Sequence, residues 1–147
     1  MRIDNIDENT PVLVVDDLVM MREMHTLILE RFGFTKIGQA VNGSEALKML
    51  REDSSYKLVV SDLEMPKMTG LDLVRAMRAD DGLKNTPFIM ISGRDDLAQE
   101  AKDAGANAFF AKGSNFDVLD LRNAISKIFN PTREPAKPHI PLPQNTL

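Results

Sequence analysis

The chain has 147 residues, 43% hydrophobic and 27% charged, enough for one globular domain with a sizeable core. With 18 Lys and Arg against 22 Asp and Glu, the formal charge of −4 gives no overall reason to bind nucleic acid or an anionic membrane. The absence of cysteine excludes disulfides, thiolate metal sites and thiol nucleophiles, and a polar start with no apolar run near ~20 residues points to a cytoplasmic protein without membrane insertion.

Residues 1–9 read as a flexible lead-in to a folded unit over 10–129. The continuous apolar run 12–15 predicts a strand covered on both faces, followed by a helix over 19–31 with Met20, Met24, Leu27 and Ile28 inward and Gly33 as its stop. Ile37, Gln39 and Val41 make 37–41 an alternating strand for a sheet edge, and Leu47 and Leu50 mark a helix over 44–53. A second continuous strand over 58–61 precedes a helix over 71–80, whose start is signalled by Thr69 with Asp72 three residues on. After the strand 88–92, the helix over 95–104 has Leu97 as its one large apolar residue among Ala98, Ala101 and Ala104. Burying a leucine contributes ~1.5–3 kcal/mol, so this helix is the least anchored of the five and the one expected to move. A strand over 108–111 leads to a helix over 115–129, with Ser114 and Asp117 as a capping pair and Val118, Leu121, Ile125 and Ile128 inward. Prolines 131, 135, 138, 141 and 143 make 130–147 an extended tail, either a linker or a docking peptide of polyproline type.

Five βα units in a row predict an α/β fold with a doubly wound parallel sheet, whose ligand site lies beyond the carboxyl ends of the strands. Those ends carry Asp16 and Asp17, Asp62, Ser92 and Lys112. Each alone has a bland reading: Asp16 and Asp17 as helix caps, Asp62 as a loop-start aspartate, Ser92 as a turn hydroxyl, Lys112 as a solvated lysine. Their joint placement on one rim is what those readings do not explain. Converging carboxylates repel unless a cation completes the site, and hard oxygen ligands favour Mg²⁺ or Mn²⁺, which accept a phosphate oxygen as a further ligand.

From about Thr10 to Phe129 the sequence resembles the receiver domains of two-component response regulators, of the single-domain CheY-like kind. The resemblance is carried by Val12-Leu13-Val14-Val15-Asp16-Asp17, by the run from Val59 through Asp62-Leu63-Glu64-Met65-Pro66 to Gly70, by Met90-Ile91-Ser92-Gly93, and by Phe109-Phe110-Ala111-Lys112. It implies a flavodoxin-like sheet of order 2-1-3-4-5 with five helices. It implies that Asp62 accepts a phosphoryl group from a histidine kinase, a phosphotransfer protein or a small phosphodonor, with reset by hydrolysis. Asp17, Asp62 and the main-chain carbonyl of Glu64 would ligate Mg²⁺, Asp16 would act through water, and Lys112 and Ser92 would contact phosphoryl oxygens. Ser92 and Phe109 would then switch the surface of the fourth helix, fifth strand and fifth helix toward a downstream protein. Having no hydroxyl, Phe109 is expected to favour its inward position even without a phosphoryl group. The protein is expected to be a monomer, with phosphorylation-dependent dimerisation as the alternative.

Three features depart from the family pattern. Gly113 replaces the proline that usually follows the lysine across a cis bond, so that bond is either trans, with a different loop, or strained. Glu64 and Arg94 stand two residues beyond Asp62 and Ser92, at positions that tune hydrolysis, and are expected to pair over the pocket and slow water attack. The proline-rich tail lies outside the pattern. A receiver-like module that binds partners without phosphorylation is the main alternative. A haloacid-dehalogenase-type phosphatase needs an aspartate where Glu64 stands, and the Gly-x-x-x-x-Gly-Lys motif of P-loop NTPases is missing. His25 reads as a solvated or half-buried residue, and Met20, Met21 and Met24 as core or partner surface rather than metal ligands.

Overall fold

The computed structural model describes residues 1–113 and 116–131. Ser114, half of the expected capping pair, and the tail from 132 onward lie outside the described residues. In chain order the elements are β1 (Pro11–Val15), α1 (Val19–Phe32), β2 (Lys36–Ala40), α2 (Gly43–Glu52), β3 (Leu58–Asp62), α3 (Gly70–Arg78), β4 (Phe88–Ser92), a 3-10 turn (Asp95–Leu97), α4 (Ala98–Ala104), β5 (Ala108–Ala111) and α5 (Val118–Phe129). The strands form one parallel sheet in the order β2-β1-β3-β4-β5, with the alternating strand β2 at an edge.

Because successive strand residues point to opposite faces, the central strands feed two cores. Leu13, Val15, Val59, Phe88 and Met90 pack with Leu47 and Leu50 of α2 and Leu73, Val74 and Met77 of α3. Val12, Val14, Leu58, Val60, Ile89 and Ile91 pack on the other face with Leu29 and Phe32 of α1 and Leu121 and Ile125 of α5. The start and stop signals act as the sequence implies. Gly33 closes α1 at φ 115°, and Thr69 and Asp72 make a reciprocal capping box on α3, with Thr69 Oγ1 accepting from the Asp72 N–H at 3.1 Å.

Two expectations are corrected. The first nine residues are fixed to the domain: Ile3 is buried, its N–H donates to the Phe32 carbonyl at 2.8 Å, and Arg122 of α5 donates to the carbonyls of Met1 and Arg2. Two apolar residues of this polar stretch, buried Ile3 and partly buried Ile6, pack on the core that α1 and α5 share. The second correction concerns α1, whose buried residues are His25, Leu29 and Phe32, while Met20 (81% exposed), Leu27 (51%) and Met24 (44%) face outward. The helix carries apolar residues on two sides, so periodicity alone does not choose between them. The ring of Phe34, just past the helix, packs 5.9 Å from that of Phe129, and this contact with α5 belongs to the Leu29–Phe32 side.

The helix read as 95–104 is split into a 3-10 turn and a seven-residue α4 that buries Ala101 alone. Both ends are tied by arginines of α3: Arg75 donates to Glu100 Oε1 in the first turn at 3.0 Å, and Arg78 holds the far end. The Arg78 guanidinium donates to the Gly105 carbonyl at 2.9 and 3.1 Å, to the carbonyls of Lys84 and Thr86, and to Asn107 Oδ1.

Candidate functional site

Strand register assembles the site. Val15 is level with Ser61 in the β1–β3 pair, so Asp16 and Asp62 leave the sheet at the same height. Ser92 is level with Ala111, and the Lys112 N–H donates to the Ser92 carbonyl at 2.8 Å, which sets Lys112 on the same rim. The loop after β3 returns close under the site. A side chain at Gly70 would collide with the Asp62 carbonyl oxygen, so glycine is required where α3 starts against the strand end.

Asp16, Asp17 and Asp62 each offer a carboxylate oxygen, and all three oxygens lie within 4.8 Å of one another. Asp16 is fully buried; its Oδ1 accepts from the Leu18 N–H at 3.0 Å, while Oδ2 has no hydrogen-bond partner. Lys112 Nζ donates to Asp62 Oδ1 at 3.0 Å and stands 3.8 Å from Asp16 Oδ2, too far for a hydrogen bond. Burial pushes the Asp16 and Asp62 carboxyls above the usual carboxylate range, and Lys112 offsets only part of this at Asp62. An unpartnered buried carboxylate oxygen facing two further carboxylates is what a hard divalent cation would satisfy, so the residues fit Mg²⁺.

The remaining expected residues take clear places. Ser92 is fully buried and its Oγ accepts from the Arg94 N–H at 3.0 Å. The Lys112–Gly113 bond is trans and Gly113 takes φ 119°, a left-handed conformation that suits glycine. Arg94 Nη1 is 3.5 Å from Glu64 Oε1, both side chains being largely exposed, while its Nε and Nη2 bind Asp96 at 3.0 Å each. Phe109 is half-buried against the core on the α2–α3 face, as are Leu97 and Ala104.

Two residues near the site, Arg22 and Asp96, escaped sequence reasoning, and a third, His25, expected as solvated or half-buried, is corrected to buried. Arg22 of α1 donates to the Asp16 carbonyl at 2.9 Å. Asp96 holds Arg94. His25 is 4% exposed, and burial first, then the charge of Lys112, lowers its pKa to about 4. For Arg22 and His25 no local signal marks the role, since both depend on which side of α1 meets the sheet.

The model of the response regulator receiver domain matches residues 12–126. A chemotaxis protein CheY from Pseudomonas aeruginosa is 39% identical over 120 residues, covering 80% of this chain and 94% of the relative. Among solved structures, CheY4 of Vibrio cholerae superposes with a TM-score of 0.71 at 29% identity, over 82% of this chain and 98% of the other. A CheX-CheY-BeF3-Mg²⁺ complex from Borrelia burgdorferi matches with a TM-score of 0.72 at 30% identity, over 81% of this chain and 88% of that one. With its sheet order, its acidic rim and this match across both, the chain belongs to the response regulator receiver domain family and is of the CheY-like signalling kind rather than a conventional enzyme.

Proposed function

We propose that Asp62 is a phospho-acceptor, loaded from a phosphohistidine of a histidine kinase or phosphotransfer protein and reset by hydrolysis. The observation that carries this is the Asp62 carboxylate held 3.0 Å from the Lys112 ammonium and within 4.8 Å of the Asp16 and Asp17 oxygens. A carboxylate oxygen of Asp62 attacks phosphorus, the P–N bond breaks, and its electron pair returns to the donor imidazole. Lys112 neutralises one developing phosphoryl charge, and the Ser92 hydroxyl donates to another oxygen once it leaves the Arg94 N–H. Asp17, Asp62 and the Glu64 carbonyl would hold Mg²⁺, with Asp16 through water. When bound, the ion supplies positive charge that lets one anion approach another. A module acting without phosphorylation would be favoured by Gly113 displacing Lys112 or by Glu64 blocking the pocket, and the 3.0 Å contact of Lys112 with Asp62 speaks against the first of these.

The donor would dock on the exposed side of α1. Leu18, Val19, Met20, Met24 and Leu27 are exposed apolar residues starting one residue after Asp17, and Met20, Met24 and Leu27 line a groove of about 580 Å³ together with Glu23, Glu30 and Gln39. What supports docking there is that the strip starts next to the acidic rim. The signal would leave by the other side, where Ser92 and Phe109 bias the α4–β5–α5 surface toward a downstream protein.

The test is to incubate the full chain with acetyl phosphate and Mg²⁺. A hydroxylamine-labile adduct is expected at Asp62, missing in Asp62→Asn and when the metal is chelated. No adduct on the wild type, with no affinity for Mg²⁺, overturns the reading.

A further inference from the structure

The groove on the outer side of α1 offers charge as well as apolar surface. Glu23 and Glu30 line it with Met20, Met24 and Leu27. The two glutamates stand two helical turns apart, about 10 Å along the axis. Both are exposed, and neither has an ion-pair partner among the described residues. Helix α5 brings the end of the domain to the same place. The Phe129 ring packs on Phe34, just past the end of α1, and Asn130 Nδ2 donates to the Asp4 carbonyl at 3.2 Å. The chain therefore leaves the domain at the Glu30 end of α1. Beyond that point, outside the described residues, the sequence carries Arg133 and Lys137 against Glu134 as its one acid, then Ile140 and Leu142 set between prolines. A proline-rich run in its extended form rises ~3.1 Å per residue, which puts the two cations about 12 Å apart, close to the spacing of the two glutamates.

We propose that residues 132–142 dock within their own chain in the α1 groove, running from Glu30 toward Met20. Arg133 then faces Glu30, Lys137 faces Glu23, and Ile140 and Leu142 cover the exposed apolar residues that start beside Asp17. The length suffices: about 10 Å around the end of the helix and about 18 Å along it to Leu18 lie within the roughly 34 Å that eleven extended residues span. Such a run also loses little conformational freedom on binding and packs its rings on apolar side chains. Exposed ion pairs are weak one by one, but the tether holds the segment at an effective concentration in the millimolar range, so a weak contact is enough to fill the groove. A donor using the same face must displace the segment, and this consequence alone rests on the docking reading above.

The chain has no cysteine, so Gln144→Cys gives the full chain a single position for a nitroxide label. With the methionine methyls isotope-labelled, the Met20 and Met24 signals are expected to lose more than half their intensity at low salt. Met77, buried with α2 and α3 on the opposite face of the sheet, should keep its own. Arg133→Glu with Lys137→Glu should restore the Met20 and Met24 signals, and so should Glu23→Lys with Glu30→Lys, two exposed positions where the change spares the fold. All four substitutions together should bring the loss back. Undiminished Met20 and Met24 signals, an equal loss at every methionine, or a loss that both reversals leave in place overturns the proposal. So does a loss that appears only between nitroxide-bearing and isotope-bearing chains mixed as separate populations, which makes a second copy the occupant. The measurement uses no phosphoryl donor, so its failure leaves Asp62 as acceptor, which the adduct test decides by itself.

Discussion

All five residues of β3 are buried, and β1 beside it is buried from Val12 to Val15, whereas every residue of β5 is only half-buried and α4 buries a single alanine. Asp16 and Asp62 stand on the first pair; Ser92 is on β4, at the border, and Phe109 and Lys112 belong to the second side. A metal and phosphoryl site needs oxygen ligands held to fractions of an ångström, which close packing on both sheet faces provides. Passing a signal onward needs a part with two arrangements of similar energy, and sparse packing provides that. Arg78 sharpens the contrast by fixing the far end of α4 through the Gly105 carbonyl, whereas the first turn is held by one exposed Arg75–Glu100 pair.

The largest expected effect tests this contrast directly. Phe88→Ala, in the fully buried β4, should lower unfolding free energy by about 3–5 kcal/mol, whereas Leu97→Ala beside α4 should cost about 1 kcal/mol. Urea titrations of both variants decide it: equal losses would mean that the α4 side is packed as firmly as the core.

Next in size is the pH response of His25. Its folded pKa of about 4 lies below the ordinary 6.5, so the unfolded chain takes up a proton first as the solution is acidified. The stability that neutral His25 confers is therefore complete above about pH 6.5 and falls by about 3 kcal/mol as pH drops toward 4. Asp16 and Asp62 act in the opposite sense without metal. Their raised folded values favour the fold in acid, and that contribution is lost as pH rises through them. Comparing His25→Leu with the wild type across this range isolates the histidine, because both proteins carry the same carboxylates. Parallel stability curves would mean that His25 is solvated in the folded protein.

The smallest effect is at the join between the two sides. Gly113 has open space around its Cα but a φ of 119°, so Gly113→Ala should cost about 1–2 kcal/mol from backbone strain alone. A thermal melt that does not move would show that the loop after Lys112 adopts another conformation in solution.

How far the sequence could be read follows from how local each signal is. The strands and helix ends came from features that act within a few residues: apolar runs, Gly33, and the Thr69–Asp72 pair. The rim residues were legible because a parallel sheet brings all strand ends to one side, so Asp16, Asp17, Asp62, Ser92 and Lys112 could be grouped by their position after each strand. The outward side of α1 was not legible, because Met20, Met24 and Leu27 make as good a stripe as Leu29 and Phe32 until Phe34 meets Phe129. Ile3 escaped for the same reason, its value lying in a seam built by residues far along the chain.

The sequence by itself determined most element types, the doubly wound class of the sheet and the chemistry offered at the strand ends, since these depend on local propensity and on rules of chain connection that hold for any parallel sheet, while the strand order was implied by the family resemblance. Only the tertiary structure decided which carboxylate oxygen is left without a partner, that Lys112 reaches Asp62 across a trans bond to glycine, and that Arg94 divides itself between Asp96 and Glu64. Those outcomes depend on burial and on distances between groups brought together from separate strands and loops, and electrostatic preference changes steeply with both.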